Sequence, residues 1–119
     1  MPEFVNTRDT LGETAAFDAL IADTLTELKD NVVSKLGGSA LRYRKTLQSV
    51  ELPSVGIVNN YALADSPGLK SVKLDAATEL KDYVFDSDVA LETVLIPACT
   101  KIGSIAFKGC EVLNTIDLA

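Results

Sequence analysis

The side chains that could perform chemistry in this chain are carboxylates and two thiols, because the sequence contains no histidine. Histidine is the commonest general base and a common metal ligand, so the usual centre of a catalytic or metal site is missing. Cys99 and Cys110 are too few for a disulfide scaffold, and two thiols alone do not complete a tetrahedral zinc site. We therefore predict no catalytic residue, no metal site and no cofactor.

The carboxylates form no recognisable calcium-binding loop and no acid–base pair beside a nucleophile. The segment Asp86-Ser87-Asp88 could attract a hard cation, and its simpler interpretation is a solvated turn. The sequence also contains neither a glycine-rich phosphate loop nor a nucleophile elbow. The chain is therefore predicted not to be an enzyme.

Length and charge restrict the function further. The 119 residues carry a net charge of −6, and 47% of them are hydrophobic, which suits one compact domain. Negative charge argues against non-specific binding to nucleic acid or anionic lipid, because both depend on Lys and Arg. No apolar run could span a bilayer, and the start of the chain lacks a secretion signal. We expect no membrane insertion, and a protein that stays in the cytoplasm or leaves it by lysis.

The chain repeats itself with a period of 22: the blocks 47–68, 69–90 and 91–112 align without gaps, and 113–119 begins another. The first position is Leu, the fourth Val or Ile, and the sixth Leu or Ile. The fourth and sixth positions are apolar and the fifth lies between them, and this alternation predicts a short strand with one buried face. Stacked copies would form a parallel ladder with strands about 4.8 Å apart. The columns are Leu47, Leu69, Leu91 and Leu113; Val50, Val72, Val94 and Ile116; and Leu52, Leu74, Ile96 and Leu118.

A degenerate copy of the repeat occupies residues 25–46. Leu36, Ala40 and Leu41 take the apolar positions of its second half, but Asp30 stands where the strand requires Leu. This copy is therefore predicted to lack its strand.

A helix is predicted in the place of that strand, over residues 10–29. Thr10 and Glu13 have the spacing of a capping box, and an apolar stripe follows at about 100° per residue. Such a helix would cover the first repeat, as the end caps of solenoids do. The stripe consists of Phe17, Leu20, Ile21, Thr24, Leu25 and Leu28.

The segment LIPACTKIGSIAFKGCEVLNTIDLA, residues 95–119, resembles a BspA-type leucine-rich repeat, whose pattern is roughly a strand ending in I-P and then I-G-x-x-A-F-x-x-C-x-x-L. The other blocks match more loosely, with Asn59 for Gly and Ser66 for Cys in the first full block. The resemblance covers 47–119, with an eroded copy from 25. The matching residues are Ile96-Pro97, Ile102-Gly103, Ala106-Phe107, Cys110 and Leu113.

The predicted fold is accordingly an α/β repeat. It is a short leucine-rich-repeat solenoid with an N-terminal arm and capping helix at 1–29 and repeats over 30–119. Leu113, Ile116 and Leu118 would leave an apolar strand at the last stack edge. Three explanations stay open: the array continues beyond this chain, a partner or second copy covers the edge, or the edge is tolerated.

Both cysteines fall in columns that the period assigns to the core. Cys110 is interpreted as a small apolar thiol, and Cys99 shares the column of Val33, Val55 and Ala77. A disulfide between the two cysteines remains an alternative, and it would require closely matched positions across a short loop.

The exposed strand positions are the candidate binding residues, because solenoids bind partners on a concave strand face. The alternative is that they only stabilise the ladder, and they lack the Trp, Tyr and Arg anchors of tight sites. A basic cluster of Arg42, Arg44 and Lys45 is a candidate for anchoring. The candidate binding rows are Ser49, Ser71, Thr93 and Thr115, and Glu51, Lys73, Leu95 and Asp117.

The resemblance implies a binding scaffold, as in bacterial surface adhesins and phage- or prophage-encoded repeat proteins. The start without a signal, together with an opening segment similar to the lead-in of phage repeat proteins, favours a non-enzymatic attachment module. Its expected place is a bacteriophage virion, as a tail fibre or other surface component. The alternatives are a bacterial cell-surface adhesin fragment and an intracellular protein-binding scaffold. The expected partners are proteins, with a homo-oligomer as a further option.

Overall fold

The computed structural model describes residues 10–11, 26–31 and 33–117, which coil as a parallel β-solenoid. Ten short strands lie in this part of the chain, five in each of two ladders. The front ladder consists of Glu27–Lys29 (β2), Ser49–Glu51 (β4), Ser71–Lys73 (β6), Thr93–Leu95 (β8) and Thr115–Asp117 (β10). The back ladder consists of Thr10–Leu11 (β1), Lys35–Leu36 (β3), Ile57–Val58 (β5), Glu79–Leu80 (β7) and Lys101–Ile102 (β9).

The register of the strands follows the sequence period. Val50 lies opposite Leu28 on one side and Val72 on the other, so each step of the front ladder equals one repeat. The back ladder keeps this offset from β3 to β9. At β1 the offset is slightly longer than one repeat, because Thr10 pairs with Lys35. The predicted solenoid with a parallel strand ladder is therefore confirmed.

The core lies between the two ladders and is built from the repeated apolar columns. Leu52 beside the front ladder, Val58 in the back ladder and Leu63 in the turn after it are all fully buried. Phe85 takes the place of Leu63 one repeat later and stacks on Phe107, with ring centroids 5.2 Å apart. Burial of one such side chain contributes roughly 1.5–3 kcal/mol, so the columns supply most of the cohesion between coils.

The segment after each of β3, β5, β7 and β9 turns without forming a helix. Its N–H groups donate to the next repeat: Leu63 N–H to the Val84 oxygen at 3.0 Å, and Phe85 N–H to the Ala106 oxygen at 2.8 Å. Donors used between repeats are not available for bonds along a helix. Two positions in each turn have a φ between 54° and 75°. They are Ser39 and Tyr43, Tyr61 and Asp65, Tyr83 and Ser87, and Ile105 and Gly109.

The predicted α/β class and the predicted capping helix over residues 10–29 are wrong. Both ends of that segment are strands, since Thr10–Leu11 pairs with β3 and Glu27–Lys29 pairs with β4. The described residues contain no helix, and so none able to cross a membrane. Residues 12–25, with Glu13 and most of the apolar stripe, lie outside the described part. At Glu27–Lys29, pairing with β4 overrides the helical spacing, because tertiary contacts outweigh local propensity.

The prediction that the degenerate repeat lacks its front strand is also wrong. Leu28 occupies the buried position of that strand and is fully buried. Asp30 follows the strand, and its N–H donates to the Glu51 oxygen at 3.2 Å. The ladder tolerates Asp at this position because its hydrogen bonds use backbone groups rather than side chains.

The last described coil is more exposed than the coils before it. Ile102 and Ile116 are 44% and 43% exposed, whereas Leu80 and Val94, one repeat earlier, are fully buried. Leu118 lies outside the described residues. The three explanations offered for this edge stay predictions.

Candidate binding face

The outward positions of the front ladder form two straight rows, which we call the binding face. Ser49 pairs with Ser71 in the first row, and Glu51 with Lys73 in the second. The structure brings together all eight residues predicted for these rows and adds one more residue at the start of each. The first row is Glu27, Ser49, Ser71, Thr93 and Thr115, and the second is Lys29, Glu51, Lys73, Leu95 and Asp117.

The charges of the second row change along the solenoid. Glu51 lies between two lysines, with Lys29 Nζ 3.4 Å from its Oε2 and Lys73 Nζ 3.6 Å from its Oε1. These pairs are exposed, and exposed pairs contribute about 0–1 kcal/mol each. The row then continues with Leu95 and Asp117, so a cationic end gives way to an apolar side chain and an anion.

A groove of about 270 Å³ lies along this face. Its lining includes Val50 and Val72 between the rows, with Ser71 and Thr93 from the first row and Leu95 from the second. The groove is slightly smaller than typical small-molecule pockets of roughly 300–1,000 Å³. Its size and its mixture of hydroxyl, charged and apolar groups suit one or two side chains of a partner rather than an enclosed ligand.

The hydroxyl row does not hydrogen-bond along its whole length. The Thr115 hydroxyl donates to Asn114 Oδ1 at 2.8 Å rather than to Thr93 of the neighbouring strand. The Thr115 side chain is therefore held by its own segment of chain rather than by the neighbouring strand.

The basic cluster predicted for anchoring lies on the turn between repeats, away from the binding face. Arg42 Nε donates to Asp65 Oδ2 at 2.7 Å, and this hydrogen bond raises the pKa of the Arg42 guanidinium. The guanidinium also lies 4.7 Å from the Tyr43 ring centre and 4.2 Å from that of Tyr61. Arg44 Nη2 donates to the Ala40 oxygen at 3.3 Å. Both arginines are thus engaged within the fold, and Lys45 is exposed.

A stack of tyrosines adjoins this cluster, and sequence reasoning missed it. The Tyr61 and Tyr83 rings are parallel, with centroids 4.9 Å apart and planes 5° apart. The Arg42 guanidinium lies over the Tyr61 ring, so the side chains of Arg42, Tyr61 and Tyr83 form one stack along the turns. The signal was present in the sequence, because the two tyrosines stand one repeat apart.

Comparison with known families identifies the repeat. The family model described as "BspA type Leucine rich repeat region (6 copies)" matches residues 13–119. The chain belongs to the BspA-type leucine-rich repeat family. The match begins earlier than the resemblance read from the sequence. The back ladder also begins before residue 25, because β1 pairs with β3.

A solved structure supports the same fold. The chain is similar to a leucine-rich cell surface protein from Faecalibacterium prausnitzii, with a TM-score of 0.56 and 23% sequence identity. The similarity covers 76% of this chain and 31% of that protein, so the chain spans about a third of its structural neighbour. A search of curated proteins found no match to the chain.

The cysteine that the BspA-type pattern places in the turn is half-buried here. Burial, together with the carboxylates of Asp88 and Asp86, raises the pKa of the Cys110 thiol to about 12, while a hydrogen bond with the backbone of Asp88 opposes the shift. Cys110 Sγ donates to the Phe85 oxygen at 3.1 Å, and Cys99 Sγ donates to the Lys101 oxygen at 3.3 Å. Both thiols are free, so the alternative of a disulfide between them is not realised.

The segment Asp86-Ser87-Asp88 lies in the equivalent turn one repeat before Cys110, where Asp88 replaces the cysteine of the family pattern, and it does not form a cation loop. Asp88 is fully buried, and its Oδ1 accepts from the Ser66 N–H at 2.9 Å. Ser87 Oγ donates to Asp86 Oδ1 at 3.1 Å on the outside of the turn. Within the described residues, no three potential metal ligands gather at one place. Burial of Asp88 could have been inferred from its column, which holds Ser66 and Cys110.

Proposed function

We propose that this chain is a non-enzymatic binding module that holds a protein partner on the binding face. The observation that carries the proposal is the groove between two in-register rows of exposed side chains. A stack of parallel strands presents such rows at a fixed spacing of about 4.8 Å, which suits recognition of another polypeptide. The membership in a leucine-rich repeat family supports the same conclusion.

We further propose that the module works on a bacterial cell surface. The solved structure to which the chain is similar is a leucine-rich cell surface protein, and this supports a surface role over the virion role expected from the sequence. No observation among the described residues favours a virion component over a surface module. Immunolabelling of intact cells of the encoding bacterium tests the location. Labelling of phage particles instead of cells would overturn the surface location in favour of the virion.

The binding proposal is tested by photocrosslinking inside the encoding bacterium. A photoreactive amino acid replaces Ser71 on the binding face, and a matched protein carries it at Ile57, which is 43% exposed on the back ladder. We expect a discrete protein adduct from position 71 that is absent from position 57. The additional substitution Thr93→Arg, which fills the groove, should remove that adduct without unfolding the chain.

Two outcomes would overturn the binding proposal. The first is an adduct of equal yield from both positions, since the front ladder would then have no special role. The second is an adduct from position 71 that persists with Thr93→Arg in a folded protein. A surface location with either outcome would leave the location proposal intact while rejecting the binding face.

A further inference from the structure

Asp88 is a buried acid with one unsatisfied oxygen. The side chain is fully buried, and its Oδ1 accepts from the Ser66 N–H. Its Oδ2 has no hydrogen-bond partner among the described residues. A buried carboxylate oxygen without a partner is strongly unfavourable, because it has lost its hydrogen bonds to water and no protein donor replaces them. A proton on Oδ2 would remove the charge and create a donor.

The neighbouring repeats show what this position does elsewhere. Ser66 stands one repeat before Asp88, and Cys110 stands one repeat after it. Ser66 Oγ donates to the Leu41 oxygen at 3.2 Å, and Cys110 Sγ donates to the Phe85 oxygen at 3.1 Å. In both cases the acceptor is the carbonyl 25 residues earlier. The position therefore holds a side-chain donor that ties one turn to the turn before it.

The corresponding acceptor for Asp88 is the carbonyl oxygen of Leu63. Its counterpart Phe85 accepts the backbone N–H of Asp88 at 3.2 Å as well as the Cys110 thiol. At Leu63 the equivalent N–H belongs to Ser66, and that N–H donates to Asp88 Oδ1 instead. The Leu63 carbonyl is thus the place where a donor from Asp88 would complete the pattern.

We propose that Asp88 is a neutral carboxylic acid at neutral pH and that its Oδ2–H donates to the Leu63 carbonyl. The acid then joins the second full repeat to the first through two hydrogen bonds, one accepted from Ser66 and one donated to Leu63. Loss of the proton places an anion against a carbonyl oxygen in the core. The contact between these two repeats therefore weakens when Asp88 loses its proton at alkaline pH.

The surroundings of Asp88 favour the neutral form. The pKa of Asp88 is raised from the ordinary 3.8 to about 8, chiefly by burial and to a smaller extent by the carboxylates of Asp65 and Asp86, while the Ser66 N–H opposes the shift. Cys110 of the following repeat is the other titratable group beside it, and its thiol stays neutral because its own pKa is raised. The groups that act on Asp88 thus disfavour its anion, apart from the Ser66 N–H.

The raised pKa makes stability fall as pH rises. Between pH 3.8 and about 8 the folded chain keeps a proton that the unfolded chain releases. The unfolding equilibrium constant therefore increases by up to about tenfold per pH unit in this window, and the effect ends above the folded pKa. Below pH 3.8 both states carry the proton, and the contribution of Asp88 to folding is complete.

The test compares denaturant unfolding of the wild-type chain and Asp88→Asn from pH 5 to pH 9. Asparagine presents the groups of the protonated acid, an oxygen that accepts from Ser66 and an N–H that donates to Leu63, but it does not titrate. We expect the ratio of the two unfolding constants to grow by up to about a thousandfold from pH 5 to pH 8. Asp86→Asn is the matched control, and it should keep most of the wild-type pH dependence.

A direct readout does not depend on any variant folding. The carboxyl carbon of Asp88, followed by NMR in the wild-type chain, should titrate near pH 8. Titration near pH 4 would overturn the proposal. A ratio of unfolding constants for wild type and Asp88→Asn that stays constant across the pH range would overturn it as well.

Discussion

The binding face and the turn region use their polar side chains in different ways. On the binding face, Glu51 meets its two lysines at 3.4 and 3.6 Å in exposed pairs. On the turns, Arg42 meets Asp65 at 2.7 Å and lies against the Tyr61 ring. The first arrangement is weak and can be exchanged for contacts with a partner. The second is committed to the fold, which explains why we assign recognition to one region and cohesion to the other.

A series of side-chain acceptors shows most clearly that polar residues of the turns stabilise the fold. Asn60 Oδ1 accepts from the Asp82 N–H at 3.0 Å, and Asp82 Oδ1 accepts from the Ser104 N–H at 2.7 Å. Each bond spans 22 residues and joins one repeat to the next. Polar residues in the turns thus form short hydrogen bonds between coils, whereas the ion pairs of Glu51 join neighbouring coils only at the outer surface. Substitutions in either region test this difference.

The largest effect is expected from Phe85→Ala in the turn region. Phe85 is fully buried and stacked on Phe107, so removal of the ring leaves a cavity between repeats. We expect a loss of about 3–5 kcal/mol in the free energy of unfolding, measured by urea denaturation. Tyr43→Ala is the control, because Tyr43 is 62% exposed in an earlier turn and should cost less than about 1 kcal/mol. Equal losses for both variants would contradict the assignment of cohesion to the buried turn column.

The next largest effect is expected from Gly103→Ala, after the last back-ladder strand. A Cβ atom there would lie 2.5 Å from the Lys81 carbonyl carbon and 2.6 Å from its oxygen, so the coils would have to separate. We expect a loss of about 1–3 kcal/mol in urea denaturation. Gly56→Ala is the matched control, since a Cβ at Gly56 meets nothing within 4 Å. A tolerated Gly103→Ala would show that adjacent turns are less tightly packed than the structure indicates.

A smaller effect of opposite sign is expected from Ile105→Asn. Ile105 is 49% exposed and has a φ of 56°, a conformation that disfavours β-branched side chains. Asparagine tolerates it better, so the free energy of unfolding should rise by about 1 kcal/mol. The same change at Ile57, which is 43% exposed in a back-ladder strand, should lower it. Thermal melting of the two variants checks the signs, and a loss at both positions would show that φ is not the deciding factor.

The smallest effect is expected from Glu51→Gln on the binding face. Both ion pairs of Glu51 are exposed, so the free energy of unfolding should change by no more than about 1 kcal/mol. The change should vanish at 1 M salt, where the screening length falls to about 3 Å. A loss as large as that of Phe85→Ala would mean that the binding face holds the fold together and is not available to a partner.

The sequence predicted most of the candidate site, because a strict period converts positions along the chain into positions in space. Once residues one repeat apart are stacked, Ser71 must follow Ser49 and Lys73 must follow Glu51, and the register of β4 and β6 agrees. The same argument would have placed Tyr83 on Tyr61. The period does not reveal which side chains in a row contact each other, and the Arg42–Asp65 pair was missed for that reason.

The repeat length, the parallel register and the apolar columns of the core could all be predicted from the amino-acid sequence, since they follow from one periodic pattern. The strand at Glu27–Lys29 could be assigned only from the folded chain, because its residues also fit a helical stripe. The contacts of Arg42 with Asp65 and with the Tyr61 ring likewise appear only in the folded chain. In both cases the deciding contacts come from another repeat, and a short segment carries no information about the partner that stacks on it.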